Sequence, residues 1–183
     1  MKKLLICAAL MLLGYGAASA QSFSISTNAV DLAGLGTLNC EAAYGVARHW
    51  TVNASVKYNP FSYGQGEQIV RYRQRALSAG ARYWPWHVFS GWWLSGNVRY
   101  QEYNHGGLLD EKSVEGDRFG TGVAGGYTYM LSPHLNLDFG LGVWAGYDIY
   151  KRYSCPTCGR IEGSGGKFFV LPSEIIVALT FIF

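Results

Sequence analysis

Apolar and polar residues alternate with a period of two in almost every stretch between turn signals, the pattern of β-strands with one apolar face. The clearest stretch runs from Trp50 to Asn59. Trp50, Val52, Ala54, Val56 and Tyr58 share one face, and Thr51, Asn53, Ser55, Lys57 and Asn59 share the other. Just before it, Leu38, Cys40, Ala42, Tyr44 and Val46 alternate with Thr37, Asn39, Glu41, Ala43 and Gly45. Only Ala47-Arg48-His49 separates the two, which predicts a tight hairpin. The same rule places strands near 22–31, 70–84, 91–103, 119–130 and 135–147, and a last one ending at Phe183. The expectation is all-β: a single antiparallel up-and-down barrel of eight strands.

Alternation does not say which face points inward, but side-chain volume does. Eight strands enclose a space just wide enough for side chains to fill. One face carries Trp, Tyr, Phe, Leu, Val and Ile, too much for that space; the other carries Gly, Ala, Ser, Thr and Asn with occasional charges. The bulky face must therefore point out, the reverse of a soluble barrel and the arrangement of a transmembrane one. Connection lengths agree. Residues 47–49, 85–90 and 132–134 are short turns, whereas 59–69, 104–118 and 151–167 read as long polar loops. The first connection, 33–36, is short for an external loop. Trp50, Trp84, Trp86 and Trp92 lie near the short turns and Tyr58, Tyr72, Tyr100 and Tyr147 toward the other rim, as interfacial girdles would.

The first twenty residues read as a secretory signal. Lys2 and Lys3 precede an apolar run from Leu4 to Leu13, too short to span a bilayer, and Ala18-Ser19-Ala20 makes a small-residue cleavage site. The domain division is thus 1–20 signal peptide and 21–183 barrel. Loss of Lys2 and Lys3 takes the formal charge from +3 to +1, with the remaining charges scattered, so nucleic acid is not an expected partner. With 49% hydrophobic and 15% aromatic residues and 24 glycines, yet no long apolar run, the composition also points to membrane strands.

The last strand sets Ile175, Val177, Leu179, Phe181 and Phe183 at alternate positions. Val177, Leu179, Phe181 and Phe183 resemble the signal by which barrel-assembly machinery receives outer-membrane proteins. Further markers are Tyr58-Asn59-Pro60-Phe61, Ala81-Arg82-Tyr83-Trp84, Leu135-Asn136-Leu137-Asp138 and Tyr153-Ser154-Cys155-Pro156-Thr157-Cys158-Gly159. With these, the chain resembles a Bacteroidetes-type family of small outer-membrane β-barrel proteins, a domain of unknown function, with an architecture like the OmpA- and OmpX-type barrels. Asp138 departs from the Glu expected there. The resemblance covers nearly the whole mature chain and implies an integral outer-membrane location with both termini periplasmic. It also implies a link to fimbrial assembly, and it brings no activity.

The inward face gathers Glu41, Lys57, Arg82, Arg99, Asp138, Asp148 and Glu174. Buried charges need partners, and an Arg fork can serve two carboxylates, so a polar network that plugs the lumen is expected, with Glu41 and Lys57 at neighbouring levels near Arg82. Three thiols follow the signal. Cys155 and Cys158 suit a loop disulfide in an oxidising compartment; a metal knuckle is the weaker alternative, since no second ligand pair exists. Cys40 reads as an apolar residue of the outward face. His49, His87 and His134 fall in the short turns, while His105 lies in a long loop with Asp110, Glu111 and Ser113 close in sequence.

The expected function is accordingly non-enzymatic, without a cofactor: loops that contact a surface or fimbrial partner, or a structural role in the envelope. A lipid-modifying enzyme built on His105 and a narrow, porin-like solute channel stand as alternatives.

Overall fold

The computed structural model describes residues 22–64, 70–106, 113–154 and 161–183, without the side chains of Ser173 and Glu174. The expected signal peptide, Asp110 and Glu111, the Cys155–Cys158 pair and the Glu174 carboxylate lie outside the described residues.

In chain order the elements are β1 (Phe23–Asn28), α1 (Ala29–Ala33), β2 (Leu38–Ala47), β3 (Trp50–Asn59), β4 (Ser62–Tyr63), β5 (Val70–Tyr83), β6 (Gly91–Gly106), β7 (Ser113–Ser132), β8 (Leu135–Tyr153) and β9 (Ile161–Ile182). Every neighbouring pair is antiparallel. The sheet closes because β1 pairs with β9 while β3 pairs with β5. The result is a closed eight-stranded barrel, as the alternation predicts; β4 is a two-residue addition on β5. The β2–β3 hairpin forms where expected, with Cys40 opposite Val56 and a bulge between Gly45 and Ala47. The short turns and both described termini share one end of the barrel, the turn end; the longer connections share the other, the loop end.

The faces divide sharply. On β6, Leu94 is 62% exposed while its neighbour Trp93 is 3% exposed. Val52, Val56, Leu77, Val98, Val123, Leu141, Val143 and Leu179 all point outward, and Ser24, Thr51, Ser78, Ser95, Thr128 and Thr180 are buried inside. Trp50 and Tyr83 pack at 5.1 Å, and Trp92 meets Tyr127 edge-on at 5.2 Å, making the aromatic rim near the turn end.

Three features depart from expectation. The first strand stops at Asn28, whose side chain accepts from the Val30 N–H and caps α1, with Asp31 in the first turn. An Asn cap followed by an acidic first turn favours a helix over continued strand. Strands β6 to β9 also extend into residues expected as loop. Above the rim polar residues and glycines fall on both faces, so the period-two signal fades although the backbone ladder continues.

Finally, the interior holds large aromatics as well as small residues. Trp84 and Tyr72 do not belong to the outward girdles. Trp84 is buried and donates to Thr51 Oγ1 at 3.1 Å, and Tyr72 stacks on inward-facing His105 at 4.5 Å between centroids. Trp84, Phe89, Trp93, Ala43, Ala124 and Ile182 form the apolar plug at the turn end. Trp93 fits because two glycines face it: a Cβ on Gly140 would stand 2.8 Å from its ring, and one on Gly126 2.5 Å. Bulk on one strand is matched by absence of bulk on the two beyond it.

Candidate functional site

Among the described residues, most of the inward charges gather in three clusters. In the first, Arg82 on β5 joins Glu41 on β2 (Nη2–Oε1 3.0 Å) to Asp138 on β8 (Nη1–Oδ2 3.9 Å). The hydroxyls of Thr128 and Thr180 donate to Asp138 at 2.5 and 2.7 Å, and the amide of Asn53 donates to Glu41 at 3.3 Å. The Arg82 guanidinium lies 4.2 Å over the Trp93 ring centroid. The planar cation thus has an aromatic face beneath it and carboxylates at its edge, an arrangement Lys cannot reproduce.

The second cluster ties α1 to the wall. Lys57 on β3 meets Asp31 at 2.7 Å, and Asn28 Nδ2 donates to Asp31 at 3.2 Å. The Asn28 amide also donates to the Ile175 carbonyl, and its oxygen accepts from the Val177 N–H, both at 3.1 Å. One side chain therefore continues the β1–β9 ladder for a further rung after β1 has turned into α1. Glu41 meets Arg82, near which it was expected, whereas Lys57 engages Asp31. A cavity of about 40 Å³ lies between these clusters, bordered by Asp31, Glu41, Lys57, Arg82 and Asp138. It has room for only a water or two.

The third cluster lies toward the loop end around Asp148, which is fully buried. The Tyr103 hydroxyl contacts both its oxygens at 2.8 and 3.1 Å, Arg118 Nε pairs with it at 3.2 Å, and Lys167 approaches to 4.0 Å. Arg118 stacks over Tyr103 at 3.9 Å. Deeper in the barrel, Arg99 lies 5.2 Å over Trp144. Tyr103, Arg118 and Asp31 were missed as network members. The first two are inside the expected strand 91–103 and loop 104–118, and inward parity carried past the rim would have found Arg118.

His105 sits on β6, five residues past Tyr100 and so beyond the aromatic rim. Its ring points inward between Tyr72 and Tyr103, and Nε2 is buried. Burial, with a smaller push from Arg118, lowers its pKa to about 4. Ser113 Oγ is 3.4 Å from the His105 backbone carbonyl, so this contact does not activate the hydroxyl through the ring. The turn histidines 49, 87 and 134 each place Nδ1 against a backbone carbonyl. Among the described residues, no three His, Cys, Asp or Glu side chains come together to hold a metal.

Of the residues resembling an assembly signal, Leu179 and Phe181 are exposed on the outward face and Val177 is held by Asn28. Phe183 donates its N–H to the Phe23 carbonyl at 2.8 Å, and its ring lies 4.9 Å from Phe181 and 5.8 Å from Phe23.

A family model described as a protein of unknown function, DUF3575, matches residues 4–183. No curated protein and no solved structure matches the chain.

Proposed function

We propose, for a chain that belongs to the DUF3575 family of proteins of unknown function, the role of an integral outer-membrane β-barrel with periplasmic termini. Its lumen is plugged and non-conducting, it has no enzymatic activity, and its loop end contacts a surface partner. The observation that carries this is the outward apolar belt around a closed barrel with a charged, paired interior. Burying Leu94, Leu141, Val143 and their neighbours in lipid stabilises the barrel, whereas in water the same face would be a large exposed apolar surface. No described helix is long and apolar enough to cross a bilayer, so any spanning falls to the strands.

The three charge clusters support a structural lumen. Each carboxylate has a cation or hydroxyl partner, as a plug requires. The alternating residues of β9 fit delivery by the barrel-assembly machinery. The fimbrial link implied by the family resemblance makes assembled fimbriae the first surface partner to test.

Membrane fractionation with comparison of unboiled and boiled electrophoretic mobility tests the location. The protein is expected in the outer-membrane fraction with a heat-modifiable band; recovery as a soluble periplasmic protein overturns the proposal. Planar-bilayer recording of the purified protein is expected to show no unitary current.

A further inference from the structure

Above the outward aromatic rim, the wall carries charge of both signs in register. Strand pairing aligns Tyr58, Arg75, Glu102 and Asp117 in one outward row, and Arg73, Asn104, Glu115 and Lys151 in the next. Between the rows lies a groove of about 430 Å³ across β3, β5, β6, β7 and β8. Tyr58 lines its border, and the next outward row toward the apolar belt pairs Tyr100 with Phe119.

The carboxylates are already organised. The Tyr100 hydroxyl donates to Asp117 at 3.0 Å and Glu102 at 3.3 Å, and the Tyr153 hydroxyl donates to Glu115. Glu102 and Asp117 face each other directly across the β6–β7 ladder, a like-charge pairing that costs stability unless donors are shared. Arg75 reaches Glu102 only at 4.0 Å and its side chain is 72% exposed, while Arg73 is oriented by its Nε bond to Ser62 Oγ at 3.1 Å.

We propose that this groove binds the headgroup of a phosphorylated glycolipid in the leaflet on the loop side, its acyl chains lying along the apolar belt. The inference rests on the membrane reading above. Arg73 and Arg75, two residues apart on the outward face of β5, take the phosphate, since Arg pairs with phosphate through two parallel N–H bonds. Glu102, Asp117 and Asn104 accept from or bridge the sugar hydroxyls. A purely anionic headgroup would set its remaining surface against three carboxylates, and a neutral sugar would leave the cations unused. The groove's height on the wall selects a lipid over a soluble sugar phosphate, because the chains add buried apolar area that a free headgroup lacks.

The test is native mass spectrometry of the full mature chain in detergent. Equal amounts are offered of a phosphorylated diglucosamine glycolipid (lipid A), phosphatidylglycerol, and digalactosyl diacylglycerol. Wild type is expected to retain the phosphorylated glycolipid about tenfold or more over either control. The R73A/R75A variant, with folding verified by its heat-modifiable band, is expected to retain it no better than the unphosphorylated glycolipid. The E102Q/D117N variant narrows the advantage over phosphatidylglycerol. Equal retention of phosphatidylglycerol, or undiminished retention by folded R73A/R75A, overturns the proposal. Insertion of wild type into phosphatidylcholine vesicles, scored by flotation, is the separate arm: failure there removes the membrane reading, whereas insertion without lipid selectivity removes only the headgroup site.

Discussion

Replacing Arg82 with Met removes a cation that touches both Glu41 and Asp138 while roughly preserving volume over Trp93. Breaking a buried ion pair from one side costs about 3–5 kcal/mol, because the other charge is left without a partner. The two carboxylates here are not equally stranded. Asp138 keeps the hydroxyls of Thr128 and Thr180, whereas Glu41 keeps only the Asn53 amide at 3.3 Å. The Glu41 side chain is also 24% exposed, so solvent recovers part of its charge. The expected loss for R82M is therefore about 3 kcal/mol, at the low end of that range, including the stacking on Trp93. The double variant R82M/E41M removes the stranded carboxylate and is expected to recover to within about 1 kcal/mol of wild type, since an apolar pair of similar volume substitutes well for a buried ion pair. Reversible urea unfolding in detergent micelles or thin bilayers, followed by tryptophan fluorescence and band shift, measures both. An R82M variant within about 0.5 kcal/mol of wild type, or a double variant less stable than R82M, would refute the reasoning that this network is electrostatically coupled.

Three further outcomes follow from the geometry. Asn28→Ala removes the α1 cap and the side-chain rung to Ile175 and Val177, so a loss of about 2 kcal/mol is expected, with amide exchange accelerating first at Val177; unchanged protection there would show that the seam closes without it. Gly140→Ala places a methyl 2.8 Å from Trp93 and should cost about 1–3 kcal/mol, with relief on adding Trp93→Leu measured in the same unfolding assay. His105, with its pKa lowered from 6.5 to about 4, binds its proton more readily unfolded than folded; its contribution is present above about pH 6.5 and lost as pH falls toward 4. Protease sensitivity of the loop end should thus rise across that window in wild type and stay flat in His105→Asn.

Strand number, the β2–β3 hairpin and the outward direction of the apolar face were all legible from alternation and side-chain volume. They were legible because period two is local and because eight strands leave little interior space. The extents of β7, β8 and β9 were not. Beyond the rim, Glu115, Asp117 and Lys151 share the outward face with the isolated apolar Ile149, and hydrogen-bonded backbone carries no period-two signature in such a mixture.

The polar interior divides the same way. Inward parity marks Glu41, Lys57, Arg82, Arg99, Asp138 and Asp148 from sequence alone, because a buried charge on an alternating strand can point only one way. Which of them touch depends on the stagger of the closed sheet. That stagger sets Arg82 between strands two and eight, hands Lys57 to Asp31 on a helix the alternation read as strand, and gives Asp148 to Tyr103 and Arg118. It also lines up, on the outer wall, the charged rows that face across the groove. Periodicity along one strand determines the side of the wall; only closure of the barrel decides the neighbours, because they come from opposite ends of the described chain, as Phe23 and Phe183 do.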